Sequence, residues 1–583
     1  MAELLLSETD MNFLLFDWLK LEDRLAGTDF DRETVEAYLD LSQRVAAEHF
    51  LTHYKEADTD EPRLENGRVR TLPAVGEALA AFRELGFFGA SFAEDLGGMG
   101  LPYLVTSASY AWFAAANVST AGYAMLTGAN ARLIAAFGNE NQIETFAKPQ
   151  VAGEWFGTMC LSEPQAGSGL ADVRTRAVRD GEDEWGPRYR IAGNKMWISG
   201  GDQSITDNIV HLVLAKIPNE DGTLPEGTKG ISLFIVPRVL PDGMVNDVAV
   251  AGLNHKMGNR GTSNCLLNFG ERGGATSWIV GRPGDGLRQM FMMMNEARIA
   301  VGFGGAALAC RGYLLAAQYA RERLQGRSAT KRDGPAVPII EHGDVRRMLL
   351  SARGHAEGSM ALCLYAAALV DAEDDPDERA LLELLTPVAK TYPAEYGLKA
   401  NDLAIQIHGG YGYTRDFDVE QLWRDNRLNP IHEGTTGIQS ADLLGRKLLR
   451  GNGLDVLRDR IAATCQAARE IGLEEEAAAV ENALAHVDAT LAAVRDLPAN
   501  RQLDHASAFM HGFALTVVAW LWLDQAATAH RLEATDDATR HLQAGKRATC
   551  RYYIAHELPM AAPFLDQAAA GRDIVSTLPA AAF

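Results

Sequence analysis

Basic residues are in short supply: 55 Lys and Arg stand against 77 Asp and Glu in 583 residues, a formal net charge of −22. A polyanion would be repelled on average, so no nucleic-acid partner is expected. Cysteine is scarce as well. Cys160, Cys265, Cys310, Cys363, Cys465 and Cys550 are scattered, without Cys-x-x-Cys spacing or neighbouring histidines. That excludes a disulfide framework or a thiolate metal site and reads as small buried hydrophobes in a reducing compartment. With the acidic balance, it implies a cytoplasmic protein. No apolar run reaches membrane-spanning length, the most apolar helix, near 513–523, being too short. Residues 1–21 carry Glu3, Glu8 and Asp10 and no basic n-region, so no secretory leader is expected. No Gly-x-Gly-x-x-Gly follows a strand, no phosphate-binding P-loop occurs, and no cysteine cluster suggests a metal.

What is present is a chain too long for one hydrophobic core, with 47% hydrophobic and 23% charged residues. Residues 1–36 form an arm whose Phe13-Leu14-Leu15-Phe16-Asp17-Trp18-Leu19 packs on the body or on a partner subunit. Helical periodicity dominates 37–156, broken at Pro62, Pro73 and Gly97-Gly98-Met99-Gly100. From 157 to 283 the pattern turns to short strands between Gly, Asn and Pro turns, which argues for a small β-barrel or sandwich. Helices return over 284–452, at 290–324, 345–371 and 380–404, with a loop over 327–341. Residues 453–583 are Ala-rich and read as four more helices. The expected fold is mainly α with a β insert: an N-terminal helical domain, a middle β-barrel domain, a four-helix bundle and an additional C-terminal helical domain.

Chemistry concentrates in Ile431-His432-Glu433-Gly434-Thr435-Thr436-Gly437-Ile438-Gln439. A carboxylate followed by Gly and two hydroxyls suits a sharp bend beside a ligand. Gly allows a positive φ and close approach, and the Thr residues offer N–H and hydroxyl groups to phosphate or ribityl oxygens. A desolvated Glu there has its pKa raised toward the range useful for proton abstraction. Taken alone, the stretch reads equally as a capped helix start. Upstream lies Gln406-Ile407-His408-Gly409-Gly410-Tyr411-Gly412-Tyr413, then Trp423-Arg424-Asp425, and the pair is far more specific than either part. Two further segments stand in the β region. One is Met159-Cys160-Leu161-Ser162-Glu163-Pro164-Gln165-Ala166-Gly167-Ser168, the other Lys195-Met196-Trp197-Ile198-Ser199-Gly200-Gly201.

In order and spacing, these five segments resemble the signatures of the acyl-CoA dehydrogenase family of FAD enzymes over about residues 30–450. Most of the family has Tyr before the Glu; His432 here resembles its long bacterial branch, which includes fatty acyl-CoA and 3-methylmercaptopropionyl-CoA dehydrogenases. The Met159–Ser168 segment departs from the family just after its end, at Gly169, where an Asp is usual.

The resemblance implies FAD as cofactor, an acyl-CoA thioester as substrate and Glu433 as the catalytic base. It implies that Met159, Leu161, Ser162, Ser168, Trp197, Ile198, Ser199, Arg323, Gln406, Gly409, Gly410, Thr435 and Gln439 contact FAD. Substrate contacts are implied for Ser168, Asn295, Arg298, His432 and Gly434. Some relatives carry the base directly before the Arg298 position, where this chain has Ala297; Glu296, about 100° round the helix, reads as structural. Also implied are a homodimer in which Arg323 meets the FAD pyrophosphate, a trans-2-enoyl-CoA product and electron-transfer flavoprotein as acceptor. An acyl-CoA oxidase, or a flavin-holding relative that is not a dehydrogenase, is the alternative.

Overall fold

A computed structural model of the chain describes residues 4–327 and 333–583, with 291–295 described through their backbone alone. Part of the loop expected over 327–341 therefore lies outside the described residues. The chain divides into two compact units. One comprises Asp40–Pro102 and Ala116–Ala297, the other Met1–Leu39, Tyr103–Ala115 and Arg298–Phe583.

In the first unit, after helical segments that run to Thr59, comes a feature the helical pattern hid, a hairpin of β1 (Arg63–Glu65) and β2 (Arg68–Arg70). Asn66 and Gly67, both at positive φ, make its two-residue turn, the Asn-Gly pair that suits a hairpin. The main sheet has eight strands. They are β3 (Phe156–Cys160), β4 (Arg176–Asp183), β5 (Gly186–Ser199), β6 (Ile209–Lys216), β7 (Ile231–Pro237), β8 (Val248–Leu253), β9 (Asn264–Phe269) and β10 (Ala275–Ile279). β10 pairs with both β7 and β5, so the path β10-β7-β6-β4-β5 closes on itself as a barrel, with β9 and β8 added along β5 and β3 along β6. Closure removes the exposed edges that an open sheet would carry.

Every residue of β6 and β7 is buried, because both faces of the sheet are covered. Val213, Ala215, Phe234 and Val236 fill the barrel. Leu212, Leu214, Leu233 and Ile235 pack outward on Leu133, Ile134, Phe146 and Ala147 of the helical segments. Asn130 ties the two layers, its Nδ2 donating to the carbonyls of Thr158 and Val210, each at 2.9 Å. Gly157 permits this approach, since a Cβ there would lie 2.1 Å from Gln150 Oε1.

The second unit is helical. Its long members are Gly343–Val370 and Pro376–His408, and, from Arg298 on, the helix Gly286–Glu322. The C-terminal helices are Gly453–Arg469, Glu474–Arg495, Ala506–Arg531 and Asp537–Tyr552, followed by a fifth, Ala561–Ala570, that the Ala-rich pattern did not separate. The helix expected to be too short for a membrane is 26 residues long and, like Glu296–Glu322, apolar enough by composition to cross one. Its apolar side chains are buried within the protein: Trp522 Nε1 donates to the Gly354 carbonyl at 2.9 Å and Trp520 Nε1 to Thr464 Oγ1 at 2.9 Å. The N-terminal arm packs on these helices. Phe13–Trp18 is a buried π-helical turn, and Trp18 Nε1 donates to Asp524 Oδ2 at 2.7 Å. All six cysteines are free thiols and buried.

Candidate functional site

In the β-containing unit, the two segments singled out from sequence are joined by one buried ion pair. Lys195 on β5 is 0% exposed. Its Nζ donates to Glu163 Oε1 at 2.9 Å and to the Leu161 carbonyl at 3.0 Å. Glu163 also accepts from the Arg174 and Thr175 N–H groups and from Thr175 Oγ1. Burial pushes the Glu163 carboxyl up, but Lys195 and these donors more than offset it and leave it below the usual carboxylate range. The Met196 N–H donates to the Ser162 carbonyl at 3.0 Å, so the turn after β3 and the end of β5 are fastened side by side.

Between Lys195 and Ile198 the β5–β9 register slips. Such a bulge re-aims a side chain, and here Trp197 takes φ 67 and stands 59% exposed. A left-handed, exposed Trp is costly for a strand residue in two ways. Met159, Leu161, Ser162 and Ser199 are half-buried nearby in sequence and sheet, and Ser199 Oγ accepts from Asn264 Nδ2 at 3.3 Å. Ile198 differs: its side chain belongs to the barrel core, and its carbonyl accepts from the Gly201 N–H at 3.2 Å. Ser168 lies exposed in the loop after β3. Glu296 pairs with Arg132, whose Nε lies 2.9 Å from its Oε2.

In the helical unit, Arg323 and the Gly-rich segment meet. Tyr319, Arg323, Gln325, Ile407, His408, Gly409, Gly410, Tyr411 and Thr414 line a cavity of about 450 Å³. The Arg323 guanidinium stands 5.7 Å from the Tyr411 ring centroid. Gly409 caps the Pro376–His408 helix at φ 61, and a Cβ on Gly409 or Gly410 would meet nothing within 4 Å. The backbone there is bare, and Gln406 is exposed one turn before it.

The Glu433 turn is built from several directions. Glu433 has φ 51 and Gly434 φ 88. Gln439, fully buried, donates from Nε2 to the Glu433 carbonyl at 3.2 Å, and a Cβ on Gly434 would lie 2.3 Å from that Nε2. Gln439 thus braces the turn, with its Oε1 unpartnered. Thr435 caps the helix Thr436–Asp442, and Thr436 Oγ1 donates to Glu395 at 2.5 Å. His432 Nδ1 donates to the Leu428 carbonyl at 3.1 Å. Burial, with Lys390 second, pushes the His432 ring down to about 4, so it is neutral at physiological pH.

The Glu433 carboxylate enters no hydrogen bond or ion pair among the described residues. Burial raises its pKa above the ordinary glutamate value, and Lys390 and Arg298 only partly oppose that. Its N–H is not spent on a backbone carbonyl among the described residues. Arg298 is buried and pairs with Asp442, Nη1 to Oδ2 3.0 Å, while its Nε has no partner. Asn295 was a candidate beside it, but its side chain lies outside the described residues. Sequence reasoning missed Lys390, Asp442 and Glu395. The one available signal was Lys390 itself, a cation within the otherwise apolar run Pro387-Val388-Ala389-Lys390 of a helix.

Comparison with known proteins gives four family matches along the chain. They are the acyl-CoA dehydrogenase N-terminal domain over residues 32–154, its middle domain over 158–271, its C-terminal domain over 284–449, and an acetyl-CoA dehydrogenase C-terminal-like domain over 457–579. The chain is 37% identical over 463 residues to 3-methylmercaptopropionyl-CoA dehydrogenase of Ruegeria pomeroyi, covering 77% of each. It is 32% identical over 594 residues to the broad-specificity linear acyl-CoA dehydrogenase FadE5 of Mycobacterium tuberculosis, covering 94% of this chain and 95% of the other. Among solved structures, Caenorhabditis elegans ACDH-11 in complex with C11-CoA superposes with a TM-score of 0.79 at 20% identity, over 97% of this chain and 94% of that one. An acyl-CoA dehydrogenase of Bacillus anthracis complexed with FAD gives 0.73 at 19% identity, over 97% and 95%. These structural likenesses speak for the fold.

Proposed function

Because the chain belongs to the acyl-CoA dehydrogenase family, we propose that it oxidises an acyl-CoA thioester to the trans-2-enoyl-CoA, with Glu433 as the base. The observation that carries this reading is the Glu433 carboxylate itself. It sits in a left-handed turn, free of ion pairs among the described residues, with its pKa raised by burial. An α C–H beside a thioester is too weakly acidic for a carboxylate in water. A desolvated, more basic carboxylate closes part of that gap. The Glu433 N–H donates to the thioester carbonyl and stabilises the enolate-like charge as the proton leaves. The α proton ends on Glu433.

FAD is the cofactor, and when bound it accepts the hydride from the β carbon. The chain's residues fit it, taken unit by unit. Trp197, exposed and left-handed on its bulge, offers an aromatic face that otherwise has no reason to face water. Arg323 and the bare Gly409-Gly410 backbone offer a guanidinium fork and N–H groups around one cavity, which suits a diphosphate. Thr435 and Ser162 supply hydroxyls. Arg298, His432, Gly434 and Ser168 take the substrate side in this reading.

The assembly is a homodimer in the cytoplasm, in which Arg323 serves the partner's FAD, and the electrons pass to electron-transfer flavoprotein. The five sequence-based segments, 1–36, 37–156, 157–283, 284–452 and 453–583, are its domains. The test is anaerobic mixing with a panel of acyl-CoA thioesters. The protein should be yellow, carry about one FAD per chain and bleach with its substrate. Glu433→Gln should stay yellow, bind acyl-CoA and lose ~10²–10⁴-fold or more in bleaching rate, while Glu296→Gln stays active. Normal bleaching by Glu433→Gln refutes the assignment of the base. Reoxidation in air at turnover speed would instead indicate an oxidase.

A further inference from the structure

Lys390 lies on the helix Pro376–His408 and is 0% exposed. A buried ammonium usually has a carboxylate partner. This one donates instead to two main-chain carbonyls, of Asn429 at 2.5 Å and of Gly434 at 2.7 Å. Those two carbonyls lie on either side of His432-Glu433 in the chain, so one side chain grips both ends of the loop that holds the carboxylate. A left-handed residue pair, Glu433 at φ 51 and Gly434 at φ 88, persists where its surroundings over-determine it. Lys390, through the Gly434 carbonyl, and Gln439, through the Glu433 carbonyl, do so.

We propose that Lys390 is a positioning residue for the base: it clamps the loop that carries Glu433 and supplies the positive charge facing that carboxylate. The inference rests on the reading of Glu433 as the base. Two cations act on Glu433, Lys390 from the helix Pro376–His408 and Arg298 from the helix Gly286–Glu322. The field of Arg298 is offset by Asp442, 3.0 Å from it, which in turn pairs with Arg446 at 2.5 Å. Glu395, on the same helix as Lys390, accepts from Thr436 and adds negative charge to the group. His432 is neutral. Lys390 enters no ion pair among the described residues, so its charge is not cancelled at contact and bears on Glu433. Burial lowers the Lys390 pKa to about 8, with Glu433 and Glu395 opposing, and the side chain carries its proton at neutral pH.

The experiment is the pH profile of anaerobic bleaching by acyl-CoA, on FAD-loaded enzyme, for wild type, Lys390→Gln and Lys390→Arg. Lys390→Gln can still donate to a carbonyl but carries no charge. Removing an opposite charge near a carboxylate raises its pKa by about 1 unit or more. The acid limb of Lys390→Gln should therefore move to higher pH by about that much, with roughly tenfold less bleaching below it and recovery above. Lys390→Arg keeps the charge and should keep the limb in place, whatever it does to the plateau. A purely structural lysine would lower the rate by one factor at every pH, and that result overturns the proposal. So does an unmoved limb in Lys390→Gln. Should Lys390→Gln fail to hold FAD, Lys390→Met, uncharged and unbranched, is read in its place: an acid limb moved to higher pH supports the proposal and an unmoved one overturns it. Failure of the base reading is separate, since it appears as normal bleaching by Glu433→Gln.

Discussion

Replacing Lys546 by Met should destabilise the helical unit by about 3 kcal/mol, at the low end of the range of about 3–5 kcal/mol for breaking a buried ion pair. Lys546 is 0% exposed and holds three elements together. Its Nζ lies 2.5 Å from Asp10 on the N-terminal arm, 3.2 Å from Glu357 on the helix Gly343–Val370, and 3.0 Å from Gln525 Oε1 on the helix Ala506–Arg531. Phe13 and Trp522 flank it, with ring centroids at 5.2 and 5.1 Å. Met keeps the unbranched shape against both rings, so lost packing adds little. Glu357 is not stranded by the change, because Arg353 Nε remains 2.7 Å away. Asp10 is. Burial, then Glu357, already raises its pKa, so it can take up a proton when Lys546 is gone, which limits the cost.

The assay is urea unfolding of the FAD-loaded protein, followed through tryptophan fluorescence, with Trp18, Trp520 and Trp522 in the affected region. Adding Asp10→Asn to Lys546→Met should restore part of the loss, since the stranded carboxyl is then absent. A loss below about 1 kcal/mol, the size of an exposed pair, refutes the reasoning. So does a double variant that loses as much as the two single losses added together.

Two further outcomes follow from the geometry. Arg323→Ala should release FAD more readily, because the guanidinium lines the cavity with Gly409 and Gly410; its side chain is exposed, so circular dichroism should not change, and unaltered FAD retention on gel filtration would show the arginine misassigned. Glu557 is held below the ordinary glutamate value of 4.5, because His355, Lys399 and Ser351 together outweigh the upward push of burial. A depressed carboxyl contributes stability that is full above its unfolded pKa and is lost as pH falls toward its folded one. Glu557→Gln should therefore cost about 1.5–3 kcal/mol near neutral pH, and the difference from wild type should shrink below pH 4.5; equal losses at both ends in pH-dependent unfolding would rule that out.

Local pattern, read from the sequence, determined the strands around Ile209–Lys216 and Ile231–Pro237, the long helices and the segments that flank the chemistry. Their signals are local: alternation, periodicity, and glycines beside hydroxyls and a carboxylate. The Asn66-Gly67 hairpin was equally legible and was masked by the helical periodicity around it. Tertiary structure alone decided three things. Barrel closure depends on β10 pairing with β5, which joins residues as far apart in the chain as Ala275 and Ile191 or Trp278 and Arg188, and no local period carries such a pairing. The exposure of Trp197 depends on a register slip against β9, whereas a Trp in a strand otherwise reads as core. The surroundings of Glu433 depend on Lys390, Arg298 and Asp442, which come from separate helices. Electrostatic fields act through space rather than along the chain, so a sequence can present the carboxylate, while only the packed helices fix how basic it is.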